Sequence, residues 1–204
     1  MIKLYDAPPS GHAHKARLFL SLLGLPHELI RVDLKAQEQK TAEYLGINPF
    51  GQVPVLVDGD VTIRDSNAIL VYLAEKYSDG TWLPKSPIGR ARVQEWLSIA
   101  SNELIHGPVY ARAIMLFGRD FDLIAAQHKA HELFEIMDSF LETHQWLAAD
   151  GADGVTIADV SFYPYVARAP EGKVMLDGYP NIKKWLLRLE ELEGFLPMPE
   201  SDAI

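Results

Sequence analysis

The 204-residue chain contains no cysteine. This excludes disulfides, thiolate metal ligands and a Cys-x-x-Cys redox pair of the protein's own, so any thiol chemistry must use a thiol brought by a ligand. Basic residues are also scarce: 19 Lys and Arg against 28 Asp and Glu leave a net charge of −9. That balance argues against nucleic-acid binding, which needs a basic face, and against a polybasic membrane contact. It leaves room for a small anionic ligand held by a few local donors. No apolar run reaches membrane-spanning length. The N-terminus, MIKLYDAPP, lacks the charged segment and apolar stretch of a signal peptide. The expectation is a soluble cytoplasmic protein with neither nucleic acid nor membrane as partner. Hydrophobic residues make up 48% of the chain, enough to build a core and to argue against disorder.

Periodicity divides the chain in two. Ile2 to Tyr5 reads as a short strand, followed by the turn cluster Asp6-Ala7-Pro8-Pro9-Ser10-Gly11. From about Gly11 to Leu23, Ala13, Ala16, Leu20 and Leu23 share one helical face, and Gly24 with Pro26 marks the stop. Ile30, Val32 and Leu34 alternate with polar residues, which predicts a strand over 28–34. Residues 35–47 are polar and irregular, with room for one helical turn. Asp58-Gly59-Asp60 between two apolar runs predicts a hairpin. A helix is expected from the Arg64-Asp65-Ser66-Asn67 segment through Tyr77, with Ile69, Leu70, Leu73 and Tyr77 inward. The order is βαβαββα over residues 1–77. Residues 78–89, rich in Pro, Gly and Ser, predict a linker. Residues 90–204 show only helical patterns: 90–117 bent near Gly107-Pro108, 122–148, Thr156 to about Ala167, and Ile182 to Glu193.

The stretch NPFGQVPVL, residues 48–56, sets Pro54 at the mouth of an apolar strand. Proline cannot donate to a sheet ladder. Pro54 therefore either opens an edge strand in the trans form or holds Val53 outside the ladder, where it can pair with something else. Thr156-x-x-Asp159 reads as a capping box that starts a core helix and carries no chemistry. Ser10 and Ser66 both read as helix N-caps. His128, His131, Glu132 and Glu135 share a helix face, but one solvated face supplies neither ligands from other elements nor their supporting shell, so no metal is assigned.

Three segments in this order, NPFGQVPVL, RDSNAILVYLAEKY and VTIADVSFYP, on a βαβαββα domain followed by a helical one, resemble the cytosolic glutathione transferases of bacterial, serine-type form. The resemblance covers nearly the whole chain. It implies a thioredoxin-like N-terminal domain that binds glutathione as co-substrate, an all-α C-terminal domain facing an open pocket for a small electrophile, and a homodimer. It implies a cis Val53–Pro54 bond, with the backbone of Val53 pairing the ligand as a strand would. It implies Ser10 as the catalytic hydroxyl that favours the glutathione thiolate, helped by the Gly11 and His12 amides and, more weakly, by the His12 side chain. The commoner form of this motif is Ser-Gly-Asn; here His12 takes the third place. Ser66 at a helix start is then the seat of the γ-glutamyl carboxylate and Asp65 the partner of its ammonium. Gln52 is expected to touch the same end of the ligand, and Lys35 the glycyl carboxylate. His106 and Tyr110, with Met115, are the candidates for the acceptor pocket, and Phe50 for an aromatic key into a second subunit. The leading function is transfer of glutathione to a small electrophile. The alternatives are glutathione-dependent isomerisation or reduction, and a non-catalytic binding module of the same fold.

Overall fold

In the computed structural model, which describes residues 1–148 and 154–201, the N-terminal part is a four-stranded sheet carrying helices. Strands β1 (Ile2–Asp6), β2 (His27–Arg31), β3 (Val55–Asp58) and β4 (Val61–Ile63) lie in the order β2-β1-β3-β4. Helix α1 (Gly11–Leu22) crosses from β1 to its parallel neighbour β2, as a parallel pair requires. β3 runs antiparallel to β1, and the Asp58–Val61 hairpin turns through Gly59 at a φ of +61°. β2 stops at Arg31, short of the expected strand over 28–34. The segment 35–47 holds more helix than one turn: a 3₁₀ turn at Glu38–Lys40 and then α2 (Ala42–Ile47). Helix α3 (Ser66–Tyr77) closes this part.

Helix α4 (Pro87–Ser101) begins inside the expected linker, because Ser86 caps it through the Gly89 amide and Pro87 suits the first turn. A π-helical turn at Ile105–Val109 follows, with Gly107 at φ −98°, ψ −107°, and then α5 (Tyr110–Phe117). Helix α6 (Leu123–Leu141) ends earlier than the predicted 122–148. Helices α7 (Ile157–Ala167) and α8 (Pro180–Glu190) complete the chain. Of the expected helical segment 90–204, residues 149–153 and 202–204 lie outside the described residues.

α7 is the axle. Every residue from Ile157 to Val166 is buried, as expected of a helix apolar nearly all round. It packs on α1 and α4, and one continuous core joins Leu4, Phe19 and Leu70 of the first part to Trp96, Phe134, Phe162 and Trp185 of the second. At its start Thr156 and Asp159 form the reciprocal capping box. Asp159 also accepts from the Leu147 amide and the Trp185 indole, each at 2.9 Å. Among the described residues no helix is long and apolar enough to cross a membrane.

Candidate active site

The loop from β1 to α1 contains Pro8 and Pro9, which bring carbonyls but no N–H donors. Two arginines take those carbonyls, one from each part of the molecule. Arg17 of α1 reaches the Pro8 oxygen at 3.2 Å while paired to Asp6 at 2.7 Å in the interior. Arg112 of α5 reaches the Pro9 oxygen at 3.0 Å while paired to Glu171. Burial pushes the Asp6 carboxyl up, and the Arg17 charge pulls against it. Breaking such a buried pair by removing one partner costs about 3–5 kcal/mol, so the loop is held firmly.

That loop delivers Ser10 to the N-terminus of α1. Its Oγ accepts from the Ala13 amide at 3.2 Å, and among the described residues its own proton has no acceptor. Ser10 lines a cleft of about 560 Å³, walled on the sheet side by Pro9, Gly11, Leu34 and Lys35 and on the helical side by Val109, Arg112, Ala113, Leu116, Phe117, Arg119 and Tyr165. The volume suits a small ligand. The lining is apolar with three basic residues and, among the described residues, no acidic one, against the charge balance of the chain as a whole.

The other residues expected to face glutathione lie in the loop before β3, at the start of α3 and after β2. The Val53–Pro54 peptide is cis. The β1–β3 ladder begins at Val55, leaving Val53 outside it. The Gln52 carbonyl is pinned by the Tyr44 hydroxyl at 2.8 Å and the Asn48 amide at 2.7 Å, which holds the loop before Val53. The side chain of Gln52 is exposed. Asp65, not Ser66, is the N-cap of α3: one of its oxygens accepts from the Ala68 amide at 2.8 Å, and the other has no hydrogen-bond partner among the described residues. Aspartate caps as well as serine does, and the residue one step earlier won. Ser66 is the first helical residue, buried, with its Oγ 3.4 Å from His12 Nδ1. Lys35 is exposed at the rim of the cleft.

His12 is placed differently from expectation. Its ring lies against Ser66 and Tyr165 and does not line the cleft, and its backbone N–H is taken by the Tyr165 hydroxyl at 3.1 Å. Burial and the nearby Lys15 charge hold the imidazole down to about 3, so it is neutral at physiological pH. His106 and Tyr110 do not line the Ser10 cleft. His106 borders a separate groove with Asn102, Glu132 and Ile136, and Tyr110 stacks on Phe121 with centroids 3.9 Å apart. Met115 is exposed. The helix is broken at Gly107, whose backbone is not helical, and beyond that break Val109, Ala113, Leu116 and Phe117 line the cleft instead. On the helix face to which no metal was assigned, His128 pairs with Glu132 and His131 Nδ1 lies 2.7 Å from the Tyr179 hydroxyl. Phe50 is 75% exposed at its loop tip.

Arg112, Tyr165, Tyr44 and Asn48 escaped the sequence reading. Asn48 had a signal, an amide side chain directly before the turn it ties; Tyr44 acts eight residues away, and Arg112 and Tyr165 act across long sequence separations.

The chain matches the model for the glutathione S-transferase N-terminal domain over residues 1–75 and that for the C-terminal domain over residues 114–193. Glutathione S-transferase Z1 of Arabidopsis thaliana is 45% identical, with 99% of this chain and 94% of the relative covered. A glutathione S-transferase crystal structure from Pseudomonas fluorescens superposes with a TM-score of 0.90 at 30% identity, over 98% of this chain and 99% of that one. A glutathione transferase homolog from Drosophila mojavensis, solved with bound glutathione, superposes at 0.83 with 29% identity over 94% and 88%. A cis-proline loop, a capped α1 opening on a cleft between a sheet and a helical bundle, and this likeness over both parts of the chain lead to one conclusion: the protein belongs to the glutathione S-transferase family.

Proposed function

We propose that this glutathione transferase holds the sulfur of its co-substrate at the N-terminus of α1, with the Ser10 hydroxyl donating to it, and presents the thiolate to a small electrophile in the cleft. The observation that carries this reading is Ser10 itself: its oxygen is seated on the Ala13 amide, its proton is available, and it lines the cleft. A thiol with a pKa of about 8.5 is mostly protonated at neutral pH. A hydroxyl donor and the positive end of a helix both favour the charged form. The proton released goes to solvent, and the sulfur then attacks the electrophilic carbon, either displacing a leaving group or, at an epoxide or activated olefin, leaving an anion that takes a proton from solvent.

Val53 supplies the main-chain pairing for the cysteinyl unit, which its place outside the ladder supports. Ser66, with the first-turn amides of α3, takes the γ-glutamyl carboxylate, and the spare oxygen of Asp65 takes the ammonium. Gln52 adds a contact at that end, and Lys35 takes the glycyl carboxylate from the rim. The electrophile rests on Val109, Ala113, Leu116 and Phe117. The working protein is a cytoplasmic homodimer, and exposed Phe50 is the side chain offered to the partner.

Retention on immobilised glutathione, followed by a screen of aryl halides, epoxides, activated olefins, organic disulfides and hydroperoxides, tests the reading. Turnover of one of the first three classes is expected. Reduction of the last two alone would move the assignment to reductive chemistry. Retention without any pH-dependent thiolate signal would make the protein a binding module. Light scattering is expected to give twice the chain mass; a dimer that survives Phe50→Ala would remove only the key.

A further inference from the structure

The cleft holds a second hydroxyl with no role so far. Tyr165 reaches it from α7, in the helical part of the molecule. Its oxygen accepts the His12 N–H at 3.1 Å, and among the described residues that is its one hydrogen bond. The phenolic proton is therefore uncommitted, although the side chain is only 4% exposed. The ring is locked in place. A Cβ at Gly11 would come within 2.6 Å of its Cζ, the His12 ring meets it edge-on at 5.0 Å, and the Lys15 ammonium stands 5.9 Å from its centroid.

The two hydroxyls are seated alike. Ser10 Oγ sits on the Ala13 amide and the Tyr165 oxygen on the His12 amide, successive N–H groups of one helical turn. Each oxygen accepts from the backbone, which polarises its own O–H outward. Each lines the same cleft. Burial pushes the Tyr165 phenol up from its ordinary value, and neither the Arg112 charge nor the His12 bond reverses this. Tyr165 thus stays protonated at neutral pH and keeps a proton to donate.

We propose that Tyr165 is a second catalytic residue, donating its hydroxyl hydrogen bond to the glutathione sulfur beside Ser10. This rests on the reading that the sulfur lies at the start of α1. The thiolate site is then built from both parts of the chain: one donor from the loop after β1, one from the central helix of the bundle. The thiol proton leaves to solvent, and neither hydroxyl changes its protonation state.

The test is the pH titration of bound glutathione, read by thiolate ultraviolet absorbance on the full-length protein. Tyr165→Phe is expected to raise the midpoint by about one pH unit and to lower turnover of an aryl halide about tenfold at neutral pH, with glutathione affinity changed less than about twofold. A ring-fluorinated tyrosine at position 165 keeps the packing and donates more strongly, so the midpoint is expected to fall. An unmoved midpoint in both variants overturns the proposal. If Ser10→Ala moves the midpoint while neither change at 165 does, Tyr165 is only packing and the Ser10 reading stands. If the parent protein binds glutathione with the titration of the free thiol, the sulfur is not at α1, and both fall.

Discussion

Helices α1 and α7 both start with a hydroxyl cap, and the two caps do different work. At α7, Thr156 and Asp159 are fully buried. The Thr156 oxygen accepts from the Ala158 amide, and Asp159 accepts from Thr156, Leu147 and Trp185. Every strong bond at that helix start is made inside the protein. At α1, Ser10 also caps, but the helix start opens on a cleft, and donors there are left for a ligand. The same residue chemistry is structural where the surroundings use it up and available for catalysis where a cavity leaves some over. The two helices also touch: Lys15 of α1 is buried with its ammonium 3.1 Å from Ser161 of α7 and 3.3 Å from Asn67 of α3.

The largest effect is expected from emptying the closed cap. Asp159→Ala leaves the Leu147, Thr156 and Trp185 donors without an acceptor, and should cost about 3–5 kcal/mol by denaturant unfolding. The thiol titration of the protein that remains folded should not change. A loss below about 1 kcal/mol would dissolve the contrast between the two caps.

Next comes the point where the helices meet. Burial holds the Lys15 amine down to about 7, against 10.5 in the unfolded chain, with Asp65 pulling the other way. Between these values the unfolded chain binds more protons than the folded one, so stability rises with pH across the window. Lys15→Met should therefore be more stable than the parent by about 1–4 kcal/mol at pH 7. The gain should shrink as the pH approaches 10.5. Ser161 and Asn67 keep their own 2.8 Å bond in the variant. A gain that is flat with pH would mean that Lys15 is charged throughout.

The open cap should respond in rate. Ser10→Ala removes a hydrogen bond to a charged atom, worth roughly 1.5–3 kcal/mol, and should slow thiol transfer about ten- to a hundredfold with glutathione affinity nearly unchanged. Full activity and an unmoved thiol midpoint would make Ser10 a cap alone. The smallest effect is expected at Thr156→Ala: about 1 kcal/mol of stability and no change in kcat, which completes the contrast with Ser10.

Much of the fold was legible because its signals are local. The Asp58-Gly59 hairpin, the Thr156-x-x-Asp159 box and the stop at Gly24 each depend on residues within a few positions of one another, and each stands where the pattern put it. The candidate site was legible where it too is local: Ser10 before its helix, Val53 before the cis proline, Asp65 and Ser66 at the start of α3. The cap itself was placed one residue late, at Ser66 instead of Asp65, since aspartate and serine cap equally well and the chain's path into the helix decides between them. The pocket was misread around the break at Gly107, because the direction a helix takes after a kink is set by what it packs against and not by its own pattern.

By itself, then, the sequence determined the order of the elements, the hairpin, the caps, the proline loop and, through its lack of cysteine, the need for a borrowed thiol. Only the tertiary structure decided which groups converge on the cleft. Tyr165 meets His12 across 153 residues, Lys15 meets Ser161 across 146, and Arg112 meets Pro9 across 103. Such pairs leave no periodic trace. They depend on how helices several turns long settle against one another, and a shift of a few ångströms in that packing remakes every one of them.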